Sequence, residues 1–177
     1  TAILTHLDSF NPGPAAEGAS EIVTYDPAGQ KLYVVNAVDA TVDILDASDP
    51  QNLMRAAQID LTPYGRMANS VDFHDGVLVA AVENVDKQAN GRAVFFDATG
   101  SFLSSVEVGA LPDMVTFTPD GTAVLVANEG EPNDDYTVDP EGSITIIDMS
   151  AVAANLTQAD AATADFTAFN GREAEMR

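Results

Sequence analysis

The stretch NEGEPNDDYTVDPEG at 128–142 carries six carboxylates: Glu129, Glu131, Asp134, Asp135, Asp139 and Glu141. Two like unit charges about 4 Å apart at a protein surface repel each other by about 4 kcal/mol. A hard cation removes that repulsion, and Ca²⁺ takes about 6–8 oxygen ligands in irregular geometry. The stretch therefore indicates a Ca²⁺ site, with Mg²⁺ or Mn²⁺ as alternatives. The other interpretation is a solvated acidic loop that binds nothing.

Several other chemistries are disfavoured by residue type and spacing. The chain has no cysteine, which excludes thiol nucleophiles, disulfides and cysteine metal sites. The acidic stretch lacks the EF-hand spacing, and the chain has no G-x-S-x-G elbow and no glycine-rich phosphate loop. Its two histidines, His6 and His74, fall in an N-terminal strand and in a turn on the side away from the acids. A Ser–His–Asp hydrolase and a zinc site are therefore not expected.

The overall charge limits the partners. Lys+Arg is 7 and Asp+Glu is 28, giving a net charge of −21. Such a charge repels nucleic-acid phosphates and anionic membranes, and it favours solubility, salt tolerance and cation binding. No run approaches the roughly 18 apolar residues that a membrane span needs.

The elements that must position the acids repeat three times. The units begin at Glu21, Asn69 and Asp113, and each reads strand, tight turn, strand, variable loop, strand. Each third strand closes on an aspartate, at positions 46, 97 and 148, so both steps are 51 residues. Alternating first strands, turns such as DPAG, HDG and TPDG, and apolar second strands are typical of β-structure.

This repeat predicts an all-β fold: a partial β-propeller of three four-stranded antiparallel blades, within a larger ring of about seven blades. A β-sandwich of a dozen strands is the alternative. The predicted divisions are 1–17 (a strand completing the last blade), 18–63 (blade 1), 64–110 (blade 2) and 111–177 (blade 3 and the next connection). A fourth strand is evident in blades 1 and 2 only, and the one stretch that could hold a short helix lies near Ser150–Thr157. The ring would be completed by the rest of the same propeller or by another chain.

Propeller geometry predicts where the acids meet. Loops that lead into first strands and loops that join second to third strands emerge on one rim around the central axis. Glu21 and Asp113 start innermost strands, as Asn69 does, so we expect both acids beside the 129–141 loop. The predicted metal ligands are thus Glu21 and Asp113 together with the six loop carboxylates.

Three stretches carry a family resemblance: AEGASEIVTYDPAGQKLYVVNAVDATVDILDASDP, GALPDMVTFTPDGTAVLVANEGEPNDDYTVDPEGSITIID and FTAFNGRE. They resemble the bacterial choice-of-anchor I family, which is similar to YVTN-type and LVIVD-type surface propellers. NEGEPNDDYTVDPEGS is the most specific part of the match. The resemblance implies a secreted, periplasmic or surface-attached protein, and some members carry alkaline-phosphatase-like or phytase-like names. It supplies no set of catalytic residues.

Three functions follow as hypotheses. The preferred one is a ligand- or partner-binding surface module with Ca²⁺ on its acidic rim. The second is a metal-dependent phosphoesterase acting on a phosphorylated small molecule, although only Arg66, Lys87 and Arg92 lie near that rim to hold phosphate. The third is a surface-layer or filament component, suggested by open sheet edges. Whether the protein is an enzyme stays open at this point.

Overall fold

The computed structural model describes residues 3–12 and 19–172, and within them twelve β-strands form three four-stranded sheets. The all-β architecture predicted from the repeat is confirmed. Strands β1–β4 form blade 1: Ser20–Asp26, Lys31–Asn36, Thr41–Asp46 and Met54–Asp60. Strands β5–β8 form blade 2: Ala68–His74, Val77–Val82, Asn90–Asp97 and Phe102–Ala110. Strands β9–β12 form blade 3: Pro112–Phe117, Ala123–Asn128, Ser143–Asp148 and Ala161–Asp165.

Each sheet is a simple antiparallel meander, with its strands side by side in chain order. The β5–β6 hairpin shows why these sequences turn where they do. His74 pairs with Val77, which leaves Asp75 and Gly76 as a two-residue turn. Both have positive φ, +42° and +85°, the combination that Asp-Gly provides at low cost in a type I′ hairpin.

The blades stack through two apolar cores, because a single sheet cannot bury both of its faces. One core lies between blades 1 and 2, where Tyr33 stacks on Phe73 with ring centroids 5.0 Å apart. The other lies between blades 2 and 3, where Phe95 and Ile147 are fully buried. This stacking of neighbours places the first strands of the three blades next to one another.

Asp72 in β5 connects those three inner strands. Its Oδ1 accepts hydrogen bonds from Thr24 Oγ1 of blade 1 at 3.3 Å and from its neighbour Phe73 N at 2.8 Å. Its Oδ2 accepts from Thr116 Oγ1 at 3.1 Å and Phe117 N at 2.8 Å, both in blade 3. One carboxylate therefore links the first strands of all three blades.

The N-terminal segment 3–12, predicted as a strand, is not in a strand. It lies beside β4 of blade 1, where Asp8 Oδ2 accepts a hydrogen bond from Leu53 N at 2.8 Å and the Arg55 guanidinium lies 5.4 Å from the Phe10 ring centre. A strand needs a sheet edge to pair with, and no described strand pairs with this segment. Its role in completing a last blade stays a prediction.

The short helix that the sequence allows near Ser150–Thr157 is present as 3-10 structure only. The segment holds one short 3-10 turn, Ala153–Asn155, followed by another at Gln158–Asp160. Thr157 and Asp160 close the second turn through a capping box, after which the chain enters β12. That strand, AATAD, lacks the β-branched alternation of the other outer strands, so the sequence did not reveal it. No helix among the described residues has the length and apolar character needed to cross a membrane.

Candidate functional site

A polar hollow lies at the rim where blades 2 and 3 begin, with a cavity volume of about 280 Å³. We refer to it as the rim hollow. Its walls come from the connections that lead into β5 and β9 and from the loops that follow β6 and β10. The lining residues are Arg66, Met67, Asn69, Glu83, Lys87, Leu111, Asp113, Glu129 and Glu131.

A buried ion pair forms one wall of the rim hollow. The Glu83 side chain is almost fully buried, and its Oε1 lies 2.8 Å from Nη1 of the half-exposed Arg66. Asn69 Nδ2 lies 3.4 Å from Glu83 Oε2 and also donates to the Pro112 carbonyl at 3.0 Å. Backbone hydrogen bonds from Arg66 N to the Glu83 carbonyl and from Glu83 N to the Met67 carbonyl hold these two segments of the chain together. The Glu83 carboxylate thus takes part in an ion pair that stabilises the structure.

Three carboxylates line the other side of the hollow: Asp113, Glu129 and Glu131. Partial burial raises the pKa of Glu129 above its ordinary value, and the negative charges of Asp113 and Glu131 raise it further. The positive charge of Lys87 acts in the opposite direction. Glu129 is held in place because its backbone N–H donates to the Leu111 carbonyl at 2.9 Å. The hollow therefore carries several negative charges on exposed side chains, which Lys87 offsets only in part.

The structure brings together three of the eight predicted ligands: Asp113, Glu129 and Glu131. Glu21 lies exposed at the start of β1 and does not line the rim hollow. Glu141 lies in a separate hollow of about 320 Å³ between the outer strands of blades 2 and 3 and accepts a hydrogen bond from Asn170. Asp134 and Asp139 are exposed on the loop and likewise do not line the rim hollow.

The acidic loop is folded back on itself. Gly130 has φ +66°, and a Cβ there would lie 2.4 Å from the Pro140 carbonyl oxygen, so only glycine allows the two ends of the loop to meet. Asn133 Oδ1 accepts from Thr137 N at 2.9 Å and from Val138 N at 3.0 Å. Asp135 Oδ1 accepts from Thr137 Oγ1 at 2.7 Å, and this bond lowers the pKa of Asp135. The side chains of Asn133 and Asp135 thus stabilise the conformation of the loop itself.

Within the described residues, no group of three or more His, Asp or Glu side chains is close enough to hold a metal ion as it stands. The oxygen chemistry of Asp113, Glu129 and Glu131 suits a hard cation, but these exposed side chains would have to rotate to share one. Metal binding by any of the eight residues stays a prediction.

Sequence reasoning missed a structural use of aspartate. Eight aspartates are followed two residues later by Ser or Thr, and seven of them accept a hydrogen bond from that residue: Asp46, Asp60, Asp97, Asp120, Asp135, Asp148 and Asp165. The signal D-x-S/T was visible in the sequence. It shows that these carboxylates stabilise turns.

The basic residues and histidines occupy distinct places. Arg66 is paired with Glu83, and Arg92 reaches Ser105 Oγ at 3.3 Å, away from the hollow. Lys87 is therefore the one basic lining residue outside the buried pair. His74 lies against Phe117 on the turn side of the sheets, and His6 contacts Ser9. Neither histidine lines the rim hollow.

Three antiparallel four-stranded sheets, stacked with their first strands adjacent, define the class of protein as a partial β-propeller. A family profile described as "Choice-of-anchor I domain" matches residues 21–177. The chain belongs to the choice-of-anchor I family, as its sequence motifs predicted.

Solved structures show the same fold at low sequence identity. A putative 6-phosphogluconolactonase from Bacteroides fragilis NCTC 9343 is 17% identical with a TM-score of 0.55, and the match covers 86% of this chain and 39% of that one. A eukaryotic initiation factor is 18% identical with a TM-score of 0.52, covering 85% and 33%. A luciferin-regenerating enzyme is 16% identical with a TM-score of 0.52, covering 74% and 45%. The chain thus spans less than half of each of these proteins, and no curated protein sequence matches it.

Proposed function

We propose that this chain is part of a secreted or cell-surface propeller module that binds a positively charged ligand in the rim hollow, with Ca²⁺ as the first candidate. Membership in the choice-of-anchor I family and the propeller fold support a surface module. The net charge of −21 attracts cationic ligands to the protein and repels anionic ones.

The observation that carries the proposal is the clustering of Asp113, Glu129 and Glu131 in one hollow, where the pKa of Glu129 is raised. A raised carboxylate pKa means that the charged form is disfavoured at that place. A cation that binds between these side chains relieves the repulsion, and oxygen donors are the ligands that Ca²⁺ prefers. The Asn69 side chain and nearby backbone carbonyls offer further oxygens.

Phosphate binding finds less support in the same hollow. A phosphoesterase has to neutralise an anionic substrate, and the hollow offers one free lysine and one arginine that already pairs with Glu83. Three carboxylates would repel the substrate unless cations covered them. We therefore keep phosphate-ester hydrolysis as an outcome of the test.

The test is the melting temperature of the chain with and without millimolar CaCl₂, followed by chelation. A ligand that binds only the folded state raises the melting temperature. We expect a rise in the wild type that is lost in Glu129→Gln and Asp113→Asn. The matched control is Asp134→Asn, an exposed acid of the same loop outside the hollow, which should keep the rise.

Two results would contradict the proposal. One is the absence of any shift with Ca²⁺, Mg²⁺ or Mn²⁺; the other is a shift that Glu129→Gln retains. Turnover of p-nitrophenyl phosphate that needs Ca²⁺ and disappears in Glu129→Gln would favour the phosphoesterase instead.

A further inference from the structure

The three loops that join second to third strands carry the same dipeptide in an exposed position. We call them the rim loops; they span 37–40, 83–89 and 129–142, so their lengths differ. Each contains a valine followed by an aspartate, and the valines Val38, Val85 and Val138 are 51%, 75% and 50% exposed. Single apolar side chains on a protein surface are common. The same one in three successive loops of different length is a pattern that calls for a partner.

An asparagine holds the backbone of each Val-Asp pair. The hydrogen bonds run from Asp39 N to Asn36 Oδ1 at 3.2 Å, from Asp86 N to Asn84 Oδ1 at 3.1 Å, and from Val138 N to Asn133 Oδ1 at 3.0 Å. The spacing between asparagine and pair differs from loop to loop. Three different local conformations thus give one result, a valine exposed to solvent beside a carboxylate.

Hydrogen bonds also join the rim loops into one surface. The contacts are Leu61 N to the Ala40 carbonyl at 3.0 Å, Arg66 N to the Glu83 carbonyl at 2.9 Å, and Gln88 Nε2 to the Glu131 carbonyl at 3.3 Å. Leu61 and Arg66 both belong to the connection from β4 to β5, which therefore lies between the first loop and the second. The second loop contacts the third directly.

This surface is strongly acidic. Asp39 and Asp86 in the two shorter loops and the six carboxylates of 129–142 are all exposed, whereas Glu83 is buried against Arg66. Lys87 is the one basic residue of the rim loops. A small hard cation satisfies such charge but gains nothing from exposed valines. A ligand that uses both features has to carry positive charge and apolar groups side by side.

The longest rim loop adds an aromatic side chain. Tyr136 is 78% exposed and has φ +58°, a left-handed conformation that is unfavourable for an aromatic residue. Asparagine or glycine fits such a turn better, so the local conformation does not explain the tyrosine. Tyrosine is one of the side chains that contribute most binding energy at protein–protein interfaces.

We propose that the rim loops form a docking surface for a cationic polypeptide segment in which lysine or arginine alternates with apolar residues. The aspartates of the Val-Asp pairs attract the basic side chains, while the valines and Tyr136 cover the apolar ones. Exposed carboxylates repel an anionic partner. Further blades of the same ring stack on the sheet faces, so they lengthen this rim rather than cover it. The inference does not depend on Ca²⁺ binding in the rim hollow.

The test measures the binding of two fluorescein-labelled decapeptides to the intact protein by fluorescence anisotropy. One peptide alternates Lys and Leu, and the other alternates Lys and Ser, so that their charges are equal. The ratio of the two affinities then reports the apolar contribution, and we expect the Lys-Leu peptide to bind about tenfold more tightly. All measurements are made in EDTA, so their outcome is separate from that of the Ca²⁺ test.

The variants remove the apolar contribution. The triple variant Val38→Ser, Val85→Ser, Val138→Ser should bring the ratio close to one and leave the affinity for the Lys-Ser peptide unchanged. The matched control is Val152→Ser, since Val152 is 70% exposed but lies between β11 and β12, outside the rim loops. It should keep the wild-type ratio.

Tyr136→Asn separates binding from folding. Asparagine tolerates φ +58° better than tyrosine does, so this variant should melt no lower than the wild type. We nevertheless expect it to bind the Lys-Leu peptide several-fold more weakly. A tyrosine that serves the loop alone would leave peptide binding unchanged.

Hydrogen–deuterium exchange locates the contact. With the Lys-Leu peptide bound, exchange should slow in 37–40, 83–89 and 129–142. The proposal is overturned if the wild type binds both peptides equally well or if the triple variant keeps the difference. Slowed exchange confined to other segments would overturn it too, as would the absence of binding, which is the result expected if another segment of the protein occupies the rim.

Discussion

Asp72 Oδ2 accepts a hydrogen bond from the backbone N–H of Phe117 at 2.8 Å, across the boundary between blades 2 and 3. The other oxygen of the same carboxylate reaches Thr24 in blade 1. A single side chain thus ties three inner strands together. Neither the repeat nor the charge count singled it out, because its partners are 44 to 48 residues away.

Removing this carboxylate should destabilise the stack of blades. Hydrogen bonds to charged groups contribute more than neutral ones, so we expect Asp72→Ala to lower the free energy of unfolding by about 3 kcal/mol. Urea denaturation followed by circular dichroism measures it. Asp49→Asn, at an exposed turn that bonds only Gln51, is the control and should change the free energy little. Equal effects of the two substitutions would contradict the structural role of Asp72.

Removing one partner of the Arg66–Glu83 ion pair should lower the free energy of unfolding more than replacing both partners. Arg66→Ala leaves the buried Glu83 carboxylate without its counter-ion, and we expect a loss of about 2 kcal/mol in stability. The double variant Arg66→Leu, Glu83→Leu removes both charges and should recover most of that loss. Arg92→Ala is the control for loss of an arginine. A double variant less stable than Arg66→Ala would show that the pair itself is strongly stabilising.

Acid should weaken the fold through the D-x-S/T turns. Hydrogen bonds from threonine lower the pKa of Asp60 and Asp97, and those from Thr118 and Thr122 lower the pKa of Asp120 to about 2 from 3.8. A carboxylate with a lowered pKa stabilises the folded state above its unfolded pKa, and that contribution is lost as the pH falls through the folded value. We therefore expect the melting temperature to fall between pH 3.8 and pH 2.

The corresponding variant is Asp120→Asn, which cannot titrate. Its melting temperature should start lower at pH 7 and fall less steeply on acidification than that of the wild type. Identical slopes for the two proteins would mean that Asp120 does not contribute to the acid response.

The shape of the acidic loop should depend on Gly130. Both Gly130 and Gly76 have positive φ, but a Cβ at Gly76 meets nothing within 4 Å whereas one at Gly130 collides with Pro140 and Glu141. We expect Gly76→Ala to cost about 1 kcal/mol and Gly130→Ala clearly more. Increased proteolysis within 130–141 in Gly130→Ala would report the opened loop. Equal stability of the two variants would contradict the close approach.

The buried carboxylate of Asp43 in blade 1 should not be needed for the stability of the fold. Asp43 Oδ1 pairs with Arg55 at 3.0 Å, while its Oδ2 is buried without a partner, and the same place in blades 2 and 3 holds Val94 and Thr145. Replacing a buried ion pair by apolar residues is often neutral or stabilising, and here the partner that Asp43→Val leaves behind, Arg55, is 35% exposed and can be hydrated. We expect Asp43→Val to be at least as stable as the wild type in urea. A loss above about 1 kcal/mol would mean that the Arg55 pair outweighs the orphaned oxygen.

The sequence indicated the architecture well because propeller patterning is local. The Asp75–Gly76 turn marks the end of one strand, and the apolar run of β6 specifies the next, without knowledge of the rest of the chain. β12 was not predicted because its conformation depends on which sheet edge lies nearby. The sequence carries no such information for an alanine-rich strand.

The site was predicted less well, for a related reason. Asp113 and Glu129 were placed on one rim correctly, since inner strands must be adjacent. Glu21, Asp134 and Asp139 were not brought to the hollow, because rim membership does not fix which way a side chain points or which blades share a cavity. The pairing of Glu83 with Arg66 depends on a loop conformation that residue spacing alone does not specify.

The equivalence of successive blade contacts has an evolutionary consequence. Because both junctions between the described blades use the same positions, with Val71 in one core and Val115 in the other, a gene can gain or lose a whole 51-residue module by unequal recombination and keep the same packing. In descendants of such a sequence one module can then replace another. The number of blades is limited only by how many modules fit around the central axis.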